Sequence, residues 1–348
     1  MEGCGMKNAA EGIQSLINKV ALGQTLSERE AENAFDIIMS GDATPAQIGG
    51  FLMALRVRGE TVNEITGAAR IMRSKALMIN APEDAIDIVG TGGDASGTLN
   101  ISTGAAIVVA GCGVPIAKHG NRALSSRAGA ADVLTSLGVN IDCEMPLIEK
   151  SIREANIGFM MAPRHHSATR HVAGPRVELA TRTLFNILGP LSNPAGVKSL
   201  LVGVFAQQWV EPMAEVLGKL GAKKAWVVHG SDGLDELTTT GPSYVSEYKN
   251  GKVTNFEVSP LDAGIPLASI EDLKGGDAAD NAKAMEAMLG GEPGAFRDIV
   301  VYTAAAALII ADKAGDLKEG AEIAAEAIDK GNSIKALERM VKVTNELP

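Results

Sequence analysis

The chain has 348 residues, of which 46% are hydrophobic and 21% charged, so it is globular and long enough for about two domains. A net charge of −10 and an aromatic content of only 3% argue against a surface that binds nucleic acid or an anionic membrane. Three cysteines without a C-x-x-C spacing exclude a zinc ribbon or a thioredoxin motif. With these thiols expected to stay reduced and no apolar stretch of signal-peptide or membrane-spanning length, we expect a cytoplasmic protein.

The first 80 residues are predicted to be helical only. Apolar residues recur at helical spacing from Ile13 to Val20, and capping boxes at Ser27, Thr44 and Thr61 each begin a further helix. Four short helices can bury their apolar faces against one another. We therefore expect a small α-helical domain over residues 1–80, joined by helices from about residues 167–190.

From Ala85 onward, strands alternate with helices, which is typical of a parallel α/β sheet. A polar hairpin is expected at 243–258 around Asn250-Gly251, and helices from Asp280 onward. The predicted fold class is therefore α/β, with a mainly parallel central sheet flanked by helices over residues 81–348. Ligands of such sheets bind at the carboxyl ends of the strands. The predicted strands are Ile86–Val89, Val114–Ala117, Ile157–Met161, Leu200–Phe205 and Ala225–His229, and the intervening helices include Thr103–Cys112, Ala130–Leu137 and Arg176–Leu188.

A glycine-rich segment, Gly90–Thr103, follows the first predicted strand. Glycines let a backbone approach phosphate, and hydroxyls and N–H groups at a helix start then donate to it. No acidic residue lies between Asp94 and Asp132 to hold the ribose of a dinucleotide, and no Gly-Lys-Ser/Thr follows as in a P-loop. From this segment alone, an ordinary tight turn before a capped helix stays an alternative.

A second polar segment, Lys118–Asp132, follows the next predicted strand. It brings the cations Lys118, Arg122 and Arg127 together with hydroxyls and an imidazole at a strand end. Such a cluster suits an anionic ligand, and a solvated basic loop is the alternative.

A pair of adjacent carboxylates, Asp235-Glu236, follows the strand that ends at His229. Their charges repel each other, so a shared cation is their natural partner. Mg2+ prefers hard oxygen ligands and commonly joins protein carboxylates to phosphates. The alternative is an ordinary pair of surface charges.

These segments together resemble the anthranilate phosphoribosyltransferase family of tryptophan biosynthesis. The resemblance covers nearly the whole chain, from the N-terminal helices to about residue 340, with the motifs in the same order and spacing. The motifs are Gly90-Thr91-Gly92-Gly93-Asp94, Asn100-Ile101-Ser102-Thr103, Lys118-His119-Gly120-Asn121-Arg122, Ala162-Pro163-x-x-His166, Arg176-x-Glu178-Leu179, Arg182-Thr183-x-Phe185-Asn186-x-Leu188-Gly189-Pro190-Leu191-x-Asn193-Pro194 and Gly233-Leu234-Asp235-Glu236.

The resemblance implies a homodimer that transfers the phosphoribosyl group of phosphoribosyl pyrophosphate (PRPP) to anthranilate, with two Mg2+ ions per monomer and no dedicated acid or base. It implies Mg2+ ligands at Ser102, Asp235 and Glu236, and anthranilate contacts at Gly90, His119, Asn121, His166 and Arg176. The implied PRPP residues are Gly90, Gly93, Asp94, Thr98, Asn100, Ile101, Ser102, Thr103, Lys118, His119, Gly120, Asn121, Arg122, Ala123, Leu124, Ser125, Ser126 and Ala130.

One position departs from the family pattern. The residue after Gly129 is commonly Ser or Thr in the family, and its hydroxyl helps to hold PRPP, whereas this chain has Ala130. The helix start remains, and its N–H groups still favour an anion.

Two other functions share some of these features. A pyrimidine nucleoside phosphorylase has this fold and a similar loop with lysine and serine, but phosphorolysis needs neither a metal pair nor the carboxylate clamp that Arg176 offers. A non-catalytic relative that binds nucleic acid is disfavoured by the net charge of −10 and by the intact acidic pair.

Overall fold

The computed structural model describes residues 12–122 and 127–347. Helices and strands alternate along most of this length, and four short 3-10 turns occur at Ser167–Thr169, Gln207–Trp209, Pro260–Ala263 and Ile270–Leu273. The elements in chain order are α1 Ile13–Ala21, α2 Glu28–Ser40, α3 Pro45–Arg58, α4 Val62–Ser74, β1 Ile86–Gly90, α5 Ile101–Gly111, β2 Ile116–Gly120, α6 Ala130–Ser136, α7 Met145–Glu154, β3 Ile157–Met161, α8 Ala162–His165, α9 Arg170–Leu179, α10 Phe185–Leu188, β4 Ser199–Gly203, α11 Val210–Lys219, β5 Lys224–Gly230, β6 Ser243–Lys249, β7 Lys252–Val258, α12 Ala278–Leu289, α13 Ala295–Ile310, α14 Leu317–Asp329 and α15 Asn332–Thr344.

The described residues divide into two compact units. Those up to Ala76 and His166–Leu188 form a helical unit, and Leu77–His165 with those from Gly189 onward form an α/β unit. No helix among the described residues is long and apolar enough to cross a bilayer.

The helical unit is built on the predicted capping signals. The side chains of Ser27, Thr44 and Thr61 each accept a hydrogen bond from the backbone N–H three residues on. The side chain of the Glu or Gln at that position accepts in return from the backbone N–H of the capping residue. The capping boxes are therefore confirmed, and they fix where α2, α3 and α4 begin. In the core of this unit, the ring of Phe35 lies 5.7 Å from that of Phe51 and 5.8 Å from that of Phe185, both in edge-on contact.

The α/β unit contains, within the described residues, a seven-stranded sheet in the order β3-β2-β1-β4-β5-β6-β7. The first five strands are parallel, and β6 and β7 add an antiparallel hairpin. The predicted fold class is confirmed. The chain moves outward from β1 to β3 on one side and from β4 to β5 on the other, so the direction of winding reverses between β1 and β4. Such a switch point opens a crevice at the carboxyl ends of the two strands.

Small residues let the central helices lie close together. A Cβ on Gly104 of α5 would stand 2.9 Å from Val300 Cγ2 of α13, and one on Gly320 of α14 would stand 2.8 Å from the Cα of Ala305. The alanines of α13 from Ala304 to Ala307 are all fully buried. The sheet and these helices bury one continuous apolar core.

Several predicted elements differ from the structure by one or two residues at their ends, as the strand predicted at Leu200–Phe205 ends at Gly203. Two differences bear on the site. The helix predicted at Arg176–Leu188 is two helices, α9 and α10, because Ala180 at φ 47° ends the first. A new turn starts where Asn186 Oδ1 accepts from the N–H of Thr183 at 3.0 Å. The second strand begins two residues later than predicted and extends to Gly120, because it pairs in register with β3 over its whole length. Lys118 and His119 therefore lie in a strand and not in a loop.

Candidate active site

The cleft lies at the switch point between β1 and β4. Gly90 and Gly203 end these strands in register with each other, and the glycine-rich segment leaves the sheet at Gly90. The cleft holds a cavity of about 170 Å³. It is lined by Gly90, Gly92, Gly93, Asp94, Ser96, Gly97, Thr98, Leu99, Asn100, Ile101, Ser102, Arg127, Ala128, Gly129, Asp235, Glu236, Gly276 and Asn281.

The glycine-rich segment needs its glycines for its backbone path. Gly92, Gly93 and Gly97 have φ values of 67°, 78° and 65°, in the left-handed region that residues with a Cβ avoid. Between them, Asp94 Oδ1 accepts from the N–H of Ser96 at 3.3 Å and closes a local turn. The segment then enters α5, whose N-terminus opens into the cleft.

The acidic pair faces this segment across the cleft. Asp235 Oδ2 accepts from the N–H of Gly92 at 2.6 Å, and Glu236 Oε1 accepts from the N–H of Ser102 at 3.2 Å. The three residues predicted as metal ligands, Ser102, Asp235 and Glu236, therefore lie together, although 134 positions separate Ser102 from Glu236 in the sequence.

The loop after β5 holds the pair in place. Leu234 and Leu237 flank it and are buried in the core, so the two carboxylates between them project toward the cleft. Hydrogen bonds also join the beginning of this loop to its end. Asp232 Oδ2 accepts from the hydroxyls of Thr238 at 2.6 Å and Thr240 at 2.8 Å.

The electrostatics of the pair favour a cation. Burial raises the pKa of Asp235 well above that of an ordinary carboxyl, and the neighbouring charge of Asp94 raises it further. Burial also raises the pKa of Glu236, with the charge of Asp235 as the next cause. Uptake of a proton or of a cation relieves the repulsion within the pair, which the N–H groups of Gly92 and Ser102 and the charge of Lys118 offset only in part.

The donor set fits Mg2+. Within residues 12–122 and 127–347, no three His, Cys, Asp or Glu side chains are grouped so that they could hold a metal by themselves. Mg2+ does not need such a cage, because it commonly takes one or two carboxylates and completes its shell with water and substrate phosphate. Asp235 and Glu236, with the Ser102 hydroxyl, supply such a partial set of hard oxygen ligands.

Lys118 brings a positive charge to the same end of the sheet. It is 2% exposed, and its Nζ donates to the backbone oxygen of Ile88 at 2.6 Å. Burial lowers the pKa of Lys118, and the charges of Asp87 and Glu236 oppose that shift. Burial raises the pKa of Asp87 to about 6, and the charge of Lys118 and a 2.7 Å hydrogen bond from Asn193 Nδ2 counter it.

The remaining described residues predicted to bind PRPP are not among those that line the cleft. Thr103 is buried in α5, and the N–H of His119 donates to Asp87 Oδ1 at 3.3 Å. Arg122 forms an ion pair of 3.0 Å with Asp132. Gly120 ends β2 and Asn121 follows it, Ala130 begins α6 half-buried against the core, and Ala123, Leu124, Ser125 and Ser126 lie outside the described residues.

Two residues predicted to contact anthranilate belong to the helical unit. His166 is buried and precedes a 3-10 turn, and its backbone oxygen accepts from the N–H of Thr169 at 3.0 Å. Arg176 lies on α9 with its guanidinium carbon 5.5 Å from the centre of the Phe185 ring. Burial lowers the pKa of Arg176. A stacked guanidinium keeps its planar edge available for a carboxylate.

The sequence did not point to two residues of the cleft wall, Gly276 and Asn281. In the sequence, Gly276 is part of a glycine pair that precedes Asp277, which caps α12, and Asn281 follows in that helix. This local pattern indicates the start of a helix but no ligand site. They reach the cleft only because the segment before α12 pairs with the glycine-rich segment, as Thr98 and Lys274 form an antiparallel bridge.

A larger groove, of about 740 Å³, lies elsewhere, beside β5 and the start of α14. Its lining mixes charges of both signs, and its most buried cation, Lys224, is already paired with Asp312 at 2.8 Å. The glycine-lined cleft is the better candidate for an anionic substrate, because it joins a helix N-terminus to a pair of carboxylates that can hold a metal.

Comparisons with known proteins agree with this fold. The family model described as glycosyl transferase family, a/b domain, matches residues 82–334, and the helical bundle domain of the same family matches residues 14–76. The fold and the cleft thus define a glycosyltransferase of this two-domain class.

Individual relatives narrow the class. The chain is 63% identical over 333 residues to the anthranilate phosphoribosyltransferase of Paramagnetospirillum magneticum, covering 96% of both chains. The crystal structure of the Thermus thermophilus enzyme of that name matches with a TM-score of 0.90 at 42% identity, over 95% of this chain and 99% of that one. The Saccharomyces cerevisiae enzyme in complex with PRPP and Mg matches with a TM-score of 0.88 at 27% identity, over 96% and 98%. The chain belongs to the anthranilate phosphoribosyltransferase family.

Proposed function

We propose that this protein transfers the phosphoribosyl group of PRPP to the amine of anthranilate and releases pyrophosphate, as a step of tryptophan biosynthesis. The observation that carries the proposal is the contact of the Asp235-Glu236 pair with the glycine-rich segment and the N-terminus of α5 in one cleft. A phosphate-binding backbone beside a pair of metal-binding carboxylates suits a substrate that leaves as pyrophosphate.

The chain's own residues act mainly by holding and orienting. The amine of anthranilate is neutral and already nucleophilic, so the reaction needs no strong base. The backbone N–H groups of the glycine-rich segment and of α5 are set to donate to phosphate oxygens, and Lys118 adds a fixed positive charge nearby. Asp235 and Glu236 would hold Mg2+ with the Ser102 hydroxyl. When bound, the metal stabilises negative charge on the departing pyrophosphate.

We also propose that two Mg2+ ions bind per monomer and that Arg176 binds the carboxylate of anthranilate. Two carboxylates on adjacent residues, with Asp94 close enough to raise the pKa of Asp235, offer oxygen ligands for more than one ion. Arg176 presents a planar fork, which suits a carboxylate. The stoichiometry is testable by calorimetric titration of the protein with Mg2+ in the presence of PRPP.

A homodimer in the cytoplasm completes the proposal. Leu22 and Val57 of the helical unit are 68% and 82% exposed, and a contact between copies would cover such aliphatic side chains. Cys112 and Cys143 are free thiols, as expected in a reducing compartment. Light scattering after size-exclusion chromatography would give the mass of the assembly.

The function is tested by mixing the protein with PRPP, Mg2+ and anthranilate and following the decay of anthranilate fluorescence. Omitting Mg2+ should stop the decay, and pyrophosphate should appear in equal amount to the anthranilate consumed. A parallel assay with thymidine and inorganic phosphate tests the phosphorylase alternative. Phosphorolysis of thymidine without any consumption of anthranilate would replace the proposal.

A further inference from the structure

A segment far along the chain supports the glycine-rich segment from behind. The N–H of Leu99 donates to the oxygen of Leu273, and the N–H of Gly275 donates to the oxygen of Gly97, both at 2.9 Å. Lys274 Nζ also donates to the backbone oxygen of Ser96 at 2.7 Å. The residues before α12 therefore fix the path of the loop that forms one wall of the cleft.

Asn281, in the first turns of α12, continues this support into the cleft itself. It is 2% exposed and lines the cleft. Its Oδ1 accepts from the N–H of Gly276 at 2.8 Å, and its Nδ2 donates to Asn100 Oδ1 at 2.9 Å. Asn100 Nδ2 in turn donates to the backbone oxygen of Ala128 at 3.3 Å. One chain of hydrogen bonds thus joins three segments of the cleft wall.

The hydrogen-bond partners determine the orientation of both side-chain amides, those of Asn281 and Asn100. Gly276 offers a backbone N–H at one end, and Ala128 offers a backbone oxygen at the other. Only one arrangement of the Asn281 and Asn100 amides satisfies both ends, because reversing either places two donors or two acceptors face to face.

The consequence concerns the N-terminus of α5. Asn100 occupies the position before the helix, where an Asn side chain usually accepts from the N–H groups of the first turn. Here it makes no such bond, because both ends of its amide are engaged elsewhere. The Asn100 side chain that would cap the first turn is held aside, so the first-turn N–H groups face the cleft, where that of Ser102 donates to Glu236 Oε1 at 3.2 Å.

We propose that Asn281 is a positioning residue of the PRPP site, which holds the Asn100 amide away from the N-terminus of α5 and keeps that terminus available to phosphate. The inference rests on the proposed function. It assigns to Asn281 no contact with the reacting atoms. It predicts that loss of the Asn281 amide weakens PRPP binding even though every residue expected to touch PRPP is still present.

The test uses Asn281→Ala and Asn281→Asp and measures the binding of PRPP with Mg2+ by calorimetry without anthranilate. We expect the Kd for PRPP to rise roughly tenfold in both, as for the loss of a hydrogen bond within a buried polar chain. Asn281→Asp keeps the size of the side chain and the bond from Gly276 but offers Asn100 a second acceptor. Asn156→Ala is the matched control, because Asn156 Nδ2 donates to the backbone oxygen of Ala110 at 3.3 Å, in the C-terminal half of α5 and away from the cleft end of that helix.

A double-mutant cycle separates positioning from general loss of stability. If Asn281 acts through Asn100, then Asn281→Ala should add almost nothing to the effect of Asn100→Ala on the Kd for PRPP. The KM for anthranilate should stay within about twofold in Asn281→Ala and in Asn281→Asp. An unchanged Kd in Asn281→Ala, fully additive effects, or an equal loss in Asn156→Ala would overturn the inference.

The outcomes also separate this inference from the proposed function. A wild-type chain that binds PRPP but leaves anthranilate unconsumed would overturn the function, while the Kd values of the variants would still decide the role of Asn281. A wild-type chain that binds no PRPP would overturn both.

Discussion

The backbone oxygen of Asp235 lies 1.6 Å from the point where a Cβ on Gly203 would stand. Gly90, the partner of Gly203 on β1, is also close to the pair, because a Cβ there would stand 2.5 Å from Asp235 Oδ2. Side chains are thus missing at the ends of two neighbouring strands where the acidic pair needs room. Gly203 is required at the end of β4 because any side chain there would collide with Asp235, and not because its backbone adopts a conformation that only glycine allows.

Gly203→Ala should therefore displace the acidic pair. The oxygen of Asp235 would have to move by more than 1 Å, and a shift of that size at a reacting site can reduce turnover by about 10²-fold. Steady-state kcat/KM for anthranilate at saturating Mg2+ is the measurement. Val202→Ala, the preceding residue of β4, is the control, because it costs about 2 kcal/mol of core stability without pushing on Asp235. Wild-type turnover in Gly203→Ala would show that the loop adapts and that the glycine is not required.

The double variant Asp235→Asn with Glu236→Gln should remove the metal site while keeping the size of both side chains. We expect turnover to fall on the order of 10²-fold or more, because charge on the leaving group is no longer stabilised. Anthranilate binding should suffer less. Glu83→Gln with Asp84→Asn is the matched control, since it neutralises an adjacent acidic pair that is exposed before β1. Near-normal turnover at low Mg2+ in the first variant would remove the pair from the site.

Mg2+ binding should depend on pH in the neutral range. Because burial raises the pKa values of Asp235 and Glu236, part of the pair is protonated near neutral pH in the metal-free protein. Mg2+ binds the deprotonated form, so its affinity should rise as the pH is raised, and each binding event should release protons. Calorimetry with Mg2+ alone, in buffers of different ionisation enthalpy, counts these protons. Carboxyls with ordinary pKa values, near 4, would give a flat affinity and no release.

Much of the fold could be predicted from local signals. Ser27, Thr44 and Thr61 mark helix starts by capping chemistry that involves only neighbouring residues, and these starts are confirmed. The turn Asn250-Gly251 likewise has the positive φ values, 53° and 79°, that its residue types favour. The end of α9 could not be found in this way, because Ala180 has no intrinsic preference for the left-handed conformation that stops the helix there.

The site was predictable where a motif follows a strand and unpredictable where a distant segment meets it. The acidic pair and the glycine-rich segment were found because each follows a strand of a parallel sheet, whose carboxyl ends share an edge. Asn281 lies 181 positions from Asn100, its partner, and the pairing of the segment before α12 with the glycine-rich segment brings the two together. The roles assigned to His119, His166 and Arg176 stay predictions.

Arg176→Ala should mainly raise the KM for anthranilate. Loss of a charge-assisted contact to the substrate carboxylate is worth about 1.5–3 kcal/mol, or roughly 10- to 150-fold. Arg176→Lys should recover only part of this, because an ammonium keeps the charge but not the planar fork that stacks on Phe185. Arg170→Ala, an exposed arginine at the start of the same helix, is the control. A change in the KM for PRPP instead of anthranilate would mean that Arg176 binds the other substrate.

Ala130→Ser restores the hydroxyl that the family commonly has at this position. Ala130 begins α6 and packs half-buried against the core, so the added oxygen would stand at a helix N-terminus where N–H groups already favour an anion. We expect PRPP to bind more tightly by up to about tenfold, less whatever a water molecule already supplies. The measurement is the KM for PRPP at saturating anthranilate and fixed Mg2+.

A gain far beyond tenfold would mean that the natural chain is impaired at this point. A clear loss would mean that the side chain at 130 faces Gly120 and not the ligand. A Cβ on Gly120 would stand 3.6 Å from the Cβ of Ala130. In that case Ala130 no longer counts among the residues that hold PRPP, and the N–H groups at the start of α6 remain as its contribution.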